Sequence, residues 1–309
     1  MNINNLKFLV AGANGLVGKS LVKKLESLNV KNILKPSRQE LDYKKRDATY
    51  SYLKKNKPDV VLLAAAKVGG IKANSDNQTY FLYDNMEIQN NIIMGSHLAG
   101  INNLIFYGSS CIYPRVSKQP IKENYLLSGK LEPTNEAYAL SKITGLKLCS
   151  SLKREFSRNY TTIMPCNLYG PNDNFDLTTS HFIPAIIRKI HEAKISNSKK
   201  IILWGDGTPL REFLFVDDLA EATIKIITSK INYDFINVGS GEEITILEAT
   251  NKIKRIIDWE GVIEFDTTKP NGTPRKLLDS SLINKFWKPT YSFDHGIKKT
   301  YKSFLENYK

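Results

Sequence analysis

The chain alternates short apolar runs, which are typical of buried strands, with longer stretches in which apolar residues recur at helical spacing. The apolar runs lie at 6–11, 32–35, 59–66, 104–108 and 161–166, and the clearest helical patterns between them span 82–99 and 137–156. Strands that alternate with helices indicate a parallel sheet with right-handed crossovers. The sequence therefore predicts an α/β fold built on a doubly wound parallel sheet.

Three glycines follow the first predicted strand and open a helical pattern that continues to about residue 28. Gly12 allows a tight turn, Gly15 lets the backbone approach a pyrophosphate, and Gly18 lets helix and strand pack closely. The N-terminus of such a helix faces phosphate groups. A purely structural turn is the alternative. Because a strand precedes the glycines and a helix follows them, the context favours a dinucleotide site.

The end of the second predicted strand indicates which dinucleotide is bound. An acidic residue at this point would hold the ribose hydroxyls of NAD, whereas this chain carries Lys35 and Arg38. Positive charge there favours the 2′-phosphate of NADP, and a solvated loop is the alternative. We therefore expect NADP(H) as the cofactor.

Beyond residue 171 the pattern is less regular, with short helices at 183–193 and 244–258. This part of the chain is typical of a smaller domain added at the carboxyl edge of the sheet. We expect the cofactor-binding domain over 1–170, with returning segments at about 210–240. The smaller C-terminal α/β substrate-binding domain is expected over 171–309, mainly at about 171–209 and 241–309.

Composition excludes several classes of protein. With 41% hydrophobic and 24% charged residues, the chain has an ordinary globular composition, without a run of roughly 18 apolar residues or a recognisable signal peptide. Cys111, Cys149 and Cys166 show no metal-ligand spacing and cannot all be paired, so we expect no metal and a reducing, cytoplasmic location. We expect no membrane association.

The net charge of +13 raises the question of a nucleic-acid partner. The tight basic run at 44–46 has no regularly interleaved aromatic residues, so we expect solvated lysine faces and no nucleic-acid partner. A basic surface also favours anionic nucleotide ligands, and the charge alone does not separate these possibilities.

Tyr138 and Lys142 lie four residues apart in a helical pattern, so their side chains share one face. An isolated phenol titrates near ~10, and a nearby positive charge favours its ionised form. An exposed helix face is the alternative for a pair at this common spacing. Ser109 changes the balance, because it follows the predicted strand 104–108 at the carboxyl edge, where ligands of such sheets bind.

The chain resembles the extended short-chain dehydrogenase/reductases, which have a Rossmann fold, and within them the GDP-L-fucose synthases. These enzymes epimerise and reduce GDP-4-keto-6-deoxy-mannose with NADPH. The stretches that carry the resemblance are 63–71, 108–114, 132–136, 164–171, 204–213 and 269–276.

The resemblance implies that Ser109, Tyr138 and Lys142 serve the reduction, while Cys111 and His181 exchange protons during epimerisation. Thiols and imidazoles suit this work, because modest shifts let them take and return protons near neutral pH. The alternatives are a small buried thiol and a solvated loop histidine. The expected cofactor contacts are Gly12, Asn14, Gly15, Leu16, Val17, Gly18, Lys35, Arg38, Ala64, Ala65, Ala66, Tyr138, Lys142, Pro165, Asn167, Leu168 and His181.

A nucleotide sugar carries a pyrophosphate, which guanidinium groups bind through paired hydrogen bonds. Arg211 and Lys276 are the main candidates, and Trp204 either flanks the base or, as the favoured alternative, packs the small domain. The expected substrate contacts are Ser109, Ser110, Cys111, Asn135, Asn167, Arg188, Lys189, Trp204, Arg211 and Lys276. The resemblance also implies a homodimer through the helices at 82–99 and 137–156, and a product that feeds surface-polysaccharide synthesis.

Three departures from the family pattern leave the sugar open. Asn14 stands where relatives often carry arginine, Cys166 stands where threonine is expected, and 178–182 differs in the loop that shapes the sugar pocket. The same machinery could reduce a related 4-keto-6-deoxy sugar, including a heptose, or reduce without epimerising. A reading from another class is an NADP-sensing protein without chemistry, against which the set of Ser109, Tyr138 and Lys142 argues.

Overall fold

A computed structural model describes residues 3–229, 233–269 and 271–308. Pro270, within the 269–276 stretch, and the terminal residues of the two predicted domains, 1 and 309, lie outside the described residues. Numbered in chain order, the strands are β1 Lys7–Ala11, β2 Asn32–Leu34, β3 Val60–Leu63, β4 Asn103–Tyr107, β5 Asn159–Pro165, β6 Asn167–Tyr169, β7 Lys200–Trp204, β8 Leu210–Phe215, β9 Phe235–Val238, β10 Glu243–Thr245, β11 Val262–Asp266 and β12 Arg275–Lys276.

The helices connect these strands and cover both faces of the larger sheet. They are α1 Leu16–Ser27, α2 Arg46–Asn56, α3 Ile71–Asp76, α4 Gln78–Leu98, α5 Glu136–Phe156, α6 Phe182–Ile195, α7 Val216–Thr228, α8 Ile246–Ile257 and α9 Phe293–Asn307. Among the described residues no helix is long and apolar enough to cross a membrane.

The larger sheet has six parallel strands in the order β2-β1-β3-β4-β5-β9. Successive residues of β1 belong to different cores: Phe8 packs in the cluster that includes α1 and α7, and Leu9 in the cluster that includes α2, α4 and α5. Burial on both faces explains why the strands appear in the sequence as unbroken apolar runs. The predicted doubly wound parallel sheet is confirmed.

A second, smaller set of strands lies beyond β5. Strand β8 pairs with β6, β10 and β12, and β7 pairs with β11. Helices α6, α8 and α9 pack around these strands through a separate core that contains Ile187, Ile253 and Phe304. In the segment at about 210–240, β8 belongs to the smaller sheet, whereas α7 packs on α1 and β9 completes the six-stranded sheet.

The predicted strand at 59–66 is shorter in the structure and ends at Leu63. The Ala64 amide still bonds the Ala11 carbonyl at 2.9 Å, but the chain then leaves the sheet as a loop beside Gly12. The predicted helix at 82–99 begins earlier, at Gln78. These differences matter because the loop after β3 borders the glycine turn.

Candidate active site

The glycine turn between β1 and α1 has no room for side chains at two of its three glycines. Gly12 has φ +86°, and a Cβ built on it would lie 2.6 Å from the Ala65 nitrogen. A Cβ on Gly18 would lie 2.0 Å from the Gly12 carbonyl oxygen. Gly15 caps α1, and a Cβ there would meet only that same oxygen, at 3.5 Å. The turn therefore presents open backbone in front of the N-terminus of α1.

The remaining candidate cofactor contacts lie around this turn. Asn14 is exposed at its tip, and Leu16 and Val17 form the first residues of α1. Ala64 and Ala65 border Gly12, with Ala66 next in the same loop. Pro165 ends β5, and Leu168 lies in β6. The structure thus brings these residues to the carboxyl edge of the larger sheet, where ligands bind in such folds.

The two basic residues after β2 are in different situations. Lys35 forms an ion pair with Glu26, with Nζ and Oε1 3.0 Å apart. Arg38 is exposed and, within the described part of the chain, makes no side-chain hydrogen bond or ion pair. The neighbouring Ser37 amide donates to the Glu40 carboxylate at 2.7 Å. Arg38 is therefore the more available cation for an additional phosphate.

Tyr138 and Lys142 lie on the same face of α5, as their spacing predicts. Lys142 is only 3% exposed, and its Nζ donates to the Tyr107 carbonyl oxygen at 2.9 Å, which ties the side chain to the end of β4. The same Nζ lies 5.7 Å from the centre of the Tyr138 ring and 4.8 Å from that of Phe106. The pair therefore belongs to the interior and is not an exposed helix face.

Burial controls the protonation of this pair. It lowers the pKa of Lys142 to about 7. Burial also raises the pKa of Tyr138, with a smaller effect of the same sign from Cys111, while the hydrogen bond with Ser109 lowers it. Desolvation outweighs the expected effect of the nearby positive charge in the protein by itself. Tyr138 therefore keeps its proton at neutral pH, which is the form that can donate it.

Ser109, Ser110 and Cys111 turn sharply away from the end of β4. The Ser109 hydroxyl accepts from the Cys111 amide at 3.3 Å and caps a short 3-10 helix, in which Ser110 is buried. The Cys111 sulfur receives hydrogen bonds from Asn135 Nδ2 at 3.3 Å and from Lys276 Nζ at 3.7 Å. Two donors thus converge on a partly exposed thiol beside the reducing pair.

Asn135 joins this thiol to the start of α5. Its Nδ2 is used by the sulfur, while its Oδ1 is buried and has no hydrogen-bond partner in the described structure. A buried acceptor without a donor is costly, which favours a ligand hydroxyl at this place.

His181 is the N-terminal cap residue of α6. Part of the residue is exposed, yet desolvation by the surrounding protein lowers the pKa of its imidazole. Within the described residues no hydrogen bond joins His181 to Cys111 or Tyr138. The loop before it does reach the edge of the larger sheet, because the Gly70 amide donates to the Thr179 carbonyl oxygen at 2.9 Å.

Arg211 and Lys276 are register partners on neighbouring strands β8 and β12. Burial lowers the pKa of Arg211, while Cys111 and Glu132 act in the opposite direction. Asn167 Nδ2 donates to the Glu212 carbonyl oxygen at 3.0 Å, which brings β6 to the same place. These side chains, with Cys111, form one polar wall.

Three further candidate substrate contacts interact with other residues than those of this wall. Arg188 pairs with Glu192 at 2.7 Å, and Lys189 Nζ donates to the Ile202 carbonyl oxygen at 3.3 Å. Trp204 is 50% exposed, and Lys269 Nζ lies 5.9 Å from its ring centre. Core packing therefore does not account for the whole of Trp204, since half of the residue's surface is exposed.

A profile of the NAD dependent epimerase/dehydratase family matches residues 8–239. The chain is 44% identical over 306 residues to a GDP-L-fucose synthase of Sinorhizobium fredii, covering 99% of this chain and 97% of that one. The chain belongs to the NAD dependent epimerase/dehydratase family, in the branch that contains the GDP-L-fucose synthases.

Solved structures extend this comparison. A GDP-6-OMe-4-keto-L-xylo-heptose reductase from C. jejuni superimposes with a TM-score of 0.92 at 32% identity, covering 98% of each chain. A GDP-mannoheptose C4 reductase from Campylobacter jejuni with NADP bound gives a TM-score of 0.88 at 32% identity, covering 98% of this chain and 99% of that one. The similar proteins thus include a GDP-L-fucose synthase and two heptose reductases, which correspond to the two main alternatives that the sequence left open.

Two buried polar residues of α4 hold backbone segments beside the candidate site. They were not among the residues predicted from the sequence. Asn85 is 2% exposed and exchanges hydrogen bonds of 2.8 and 3.0 Å with the backbone of Lys67, which fixes the loop after β3. Gln89 Nε2 donates to the Ser141 carbonyl oxygen at 2.6 Å, next to Lys142. Their spacing of four residues on a predicted buried helix face was the available signal.

Glu212 was missed as well. It is fully buried, and its carboxylate accepts from the Gly241 amide at 2.8 Å and the Leu278 amide at 3.0 Å. Burial raises the pKa of Glu212 to about 7. The carboxylate joins the strand that carries Arg211 to the segment after Lys276. A glutamate inside an apolar strand pattern was the signal for it.

Proposed function

We propose that this protein uses NADPH to reduce the C4 ketone of a GDP-linked 4-keto-6-deoxy sugar, after inverting carbons 3 and 5 of that sugar. The observation that carries the proposal is the Cys111 thiol, held by Asn135 and Lys276 directly beside Ser109, Tyr138 and Lys142. A reductase needs only the last three. The adjacent thiol with its donors is the additional equipment that proton exchange requires.

The glycine turn fits a dinucleotide. Positions 12 and 18 have no space for a Cβ, and the open backbone at Gly15 faces the N-terminus of α1, which suits a pyrophosphate. Arg38 provides an available positive charge for the 2′-phosphate of NADP(H). When bound, NADPH supplies the hydride that is added to the ketone carbon.

In the reduction, Tyr138 donates its proton to the C4 oxygen as this oxygen gains negative charge. The Ser109 hydroxyl holds the same oxygen, and protonated Lys142 stabilises the phenolate that Tyr138 becomes. The contact of Lys142 with the Tyr107 carbonyl oxygen fixes the cation in the interior. Reduction therefore depends on groups that are already in place in the protein.

In the epimerisation, the ketone acidifies the hydrogens at C3 and C5, and Ser109 with Tyr138 stabilises the resulting enolate oxygen. Cys111 takes a proton from one face of the sugar, and His181 returns one to the other face. The hydrogen bonds from Asn135 and Lys276 stabilise negative charge on the sulfur.

Arg211 and Lys276 bind the pyrophosphate of the nucleotide sugar, and the half-exposed Trp204 flanks the base. Asn135 and Asn167 contact the sugar from the ends of α5 and β6. The contacts of Arg188 and Lys189 place them outside this set of converging groups, so we assign them a supporting position on α6.

A second candidate is reduction at C4 alone, on a GDP-4-keto-6-deoxy-heptose supplied by a separate epimerase. The high similarity to two Campylobacter jejuni heptose reductases favours it. In this candidate function, the 178–182 loop, which the resemblance places at the sugar pocket, sets the size of the sugar.

We further propose a homodimer that packs through α4 and α5. These neighbouring helices expose Tyr80, Tyr83 and Leu140, which are 57%, 57% and 42% exposed. Exposed aromatic and apolar side chains on two neighbouring long helices suit a self-complementary interface. Sedimentation analysis should give twice the mass of one chain. We also propose a cytoplasmic location, supported by three free cysteines. The resemblance to GDP-L-fucose synthases supports a role in supplying surface polysaccharide.

Product NMR after incubation with NADPH in deuterated water tests the proposal. With GDP-4-keto-6-deoxy-D-mannose we expect a C4 alcohol with deuterium at positions 3 and 5. A C4 alcohol without deuterium, formed from the heptose homologue at the higher rate, would establish the second candidate. Absence of NADPH consumption with both ketones would contradict each of them.

A further inference from the structure

The loop before His181 is organised around one aspartate. The Asp176 Oδ1 oxygen accepts from the Thr178 amide at 3.1 Å and hydroxyl at 2.5 Å, and from the Thr179 amide at 3.0 Å and hydroxyl at 2.9 Å. Four donors therefore converge on a single oxygen. Hydrogen bonds to an ionised acceptor are stronger than neutral ones, so this turn holds a defined shape although it is exposed.

Asn174 closes the turn from the other side. Its Oδ1 accepts from the Asp176 amide at 3.0 Å, and its Nδ2 donates to the Thr179 hydroxyl at 2.8 Å. The Ser180 amide donates to the Asp176 carbonyl oxygen at 2.8 Å. The turn is thus fixed up to the residue before His181.

The same turn docks against the larger sheet's loop at Gly70. The Gly70 amide donates to the Thr179 carbonyl oxygen at 2.9 Å, and a Cβ built on Gly70 would lie 2.5 Å from the Ser180 carbonyl oxygen. Only glycine permits this approach without displacement of the turn. The contact connects the segment before His181 to the loop that follows β3.

The residues after His181 are held independently. The Ala185 amide donates to the His181 carbonyl oxygen at 3.1 Å, and the Phe182 ring stacks on Phe213, with centroids 5.9 Å apart at 22°. The backbone of His181 is therefore fixed on both sides, by α6 after it and by the Asp176 turn before it.

We propose that Asp176 is a positioning residue for epimerisation, which sets His181 for its proton transfer by shaping the 174–180 turn and docking it on Gly70. This inference rests on the proposed epimerase function. Reduction is expected to be largely independent of the turn, because Tyr138 and Lys142 are held by α5 and β4. A displacement of about 1 Å at a reacting group costs up to ~100-fold in rate, so loss of the turn should act selectively on inversion.

The test compares Asp176→Ala, Asp176→Asn and Gly70→Ala in two assays. Inversion is followed by NMR with GDP-4-keto-6-deoxy-D-mannose and NADP⁺ in deuterated water, and hydride transfer alone is followed by oxidation of GDP-L-fucose with NADP⁺. Asp279→Ala is the control, because the Asp279 carboxylate likewise accepts from the backbone amide two residues later, that of Ser281 at 2.9 Å, but lies outside the 174–180 turn.

We expect Asp176→Ala and Gly70→Ala to slow inversion about 10- to 100-fold while hydride transfer stays within about twofold. Asp176→Asn retains an acceptor oxygen and should recover most of the inversion rate. Asp279→Ala should leave both rates unchanged. Gly70→Ala perturbs the turn from the other side and therefore serves as the second test if Asp176→Ala folds poorly.

Unchanged inversion in Asp176→Ala and Gly70→Ala, with an active wild type, would overturn the inference. An equal loss of both activities would overturn it too, since it would indicate a general structural role. A wild type that transfers hydride but never inverts the sugar would instead refute the proposed epimerase function, and this inference with it.

Discussion

The groups that we propose for reduction and for epimerisation are held in different ways. Tyr138 and Lys142 occupy successive turns of one helix, and Lys142 is tied at 2.9 Å to the strand beneath it. Cys111 and His181 come instead from two loops, one after β4 and one before α6. In the proposed mechanism, reduction therefore depends on local helical geometry, whereas inversion depends on how two parts of the fold meet.

The largest expected effect is on the reducing side. Tyr138→Phe should lower NADPH oxidation with a 4-keto sugar by about 10²- to 10⁴-fold, since general acid catalysis contributes that much. Stopped-flow absorbance of NADPH measures it. Tyr52→Phe on α2 is the control and should be near normal. A Tyr138→Phe rate within a few-fold of wild type would remove Tyr138 from the chemistry.

Cys111→Ser should separate the two halves of the site. Inversion and deuterium incorporation at the sugar should fall by about 100-fold or more, because a hydroxyl is a much weaker base than a thiolate near neutral pH. Oxidation of GDP-L-fucose with NADP⁺ should retain a substantial part of its rate. Unchanged deuterium incorporation in this variant would assign the base elsewhere.

The rate of reduction should depend on pH through the protonation of the buried Lys142. Since burial lowers the pKa of Lys142 to about 7, its positive charge is present below that pH and lost as the pH rises. The rate of reduction should therefore decline several-fold above about pH 7, and the residual activity of Lys142→Met should lack this decline. A wild-type profile that is flat up to pH 9 would contradict the assignment.

The shifted pKa of Lys142 should also make the free energy of unfolding depend on pH. This pKa is about 7 in the folded protein and roughly 10.4 when unfolded, so the unfolded state binds the extra proton between these values. The free energy of unfolding of wild type, relative to Lys142→Met, should rise with pH across this window. Chemical denaturation at pH 7 and pH 9 measures the difference.

A smaller effect than that of Tyr138→Phe or Cys111→Ser is expected at the cofactor phosphate. Arg38→Ala should raise the KM for NADPH about five- to tenfold and leave that for NADH unchanged, whereas Lys35→Ala should change little because Glu26 already pairs with Lys35 at 3.0 Å. Steady-state kinetics with both cofactors decide this. A larger effect at Lys35 would reverse the assignment.

The sequence predicts what depends on local spacing. The turn of Gly12, Gly15 and Gly18 and the helix position of Tyr138 and Lys142 follow from residues close together in the chain, and the structure has the predicted geometry at these places. The parallel sheet follows from the alternation of strands and helices. Each of these inferences needs only neighbours in sequence.

Contacts between residues far apart in the chain could not be predicted from the sequence pattern. The hydrogen bond from Gly70 to Thr179 spans more than 100 residues, and so does that from Lys276 to Cys111. Glu212 joins three segments only after folding. Within the predicted returning segment at about 210–240, α7 and β9 do join the larger sheet, whereas the pairing of β8 with the smaller strands is a long-range contact that the pattern did not indicate. The side of the site that we propose for the sugar is assembled mainly from such contacts.

Transfer of deuterium from NADPH that carries deuterium at both C4 positions of its nicotinamide tests the central claim most directly. With GDP-4-keto-6-deoxy-D-mannose, the wild-type enzyme should place one deuterium at C4 of the product sugar, and Tyr138→Phe should do so at least about 100-fold more slowly. A product without deuterium at C4, or equal transfer by the two proteins, would contradict the account.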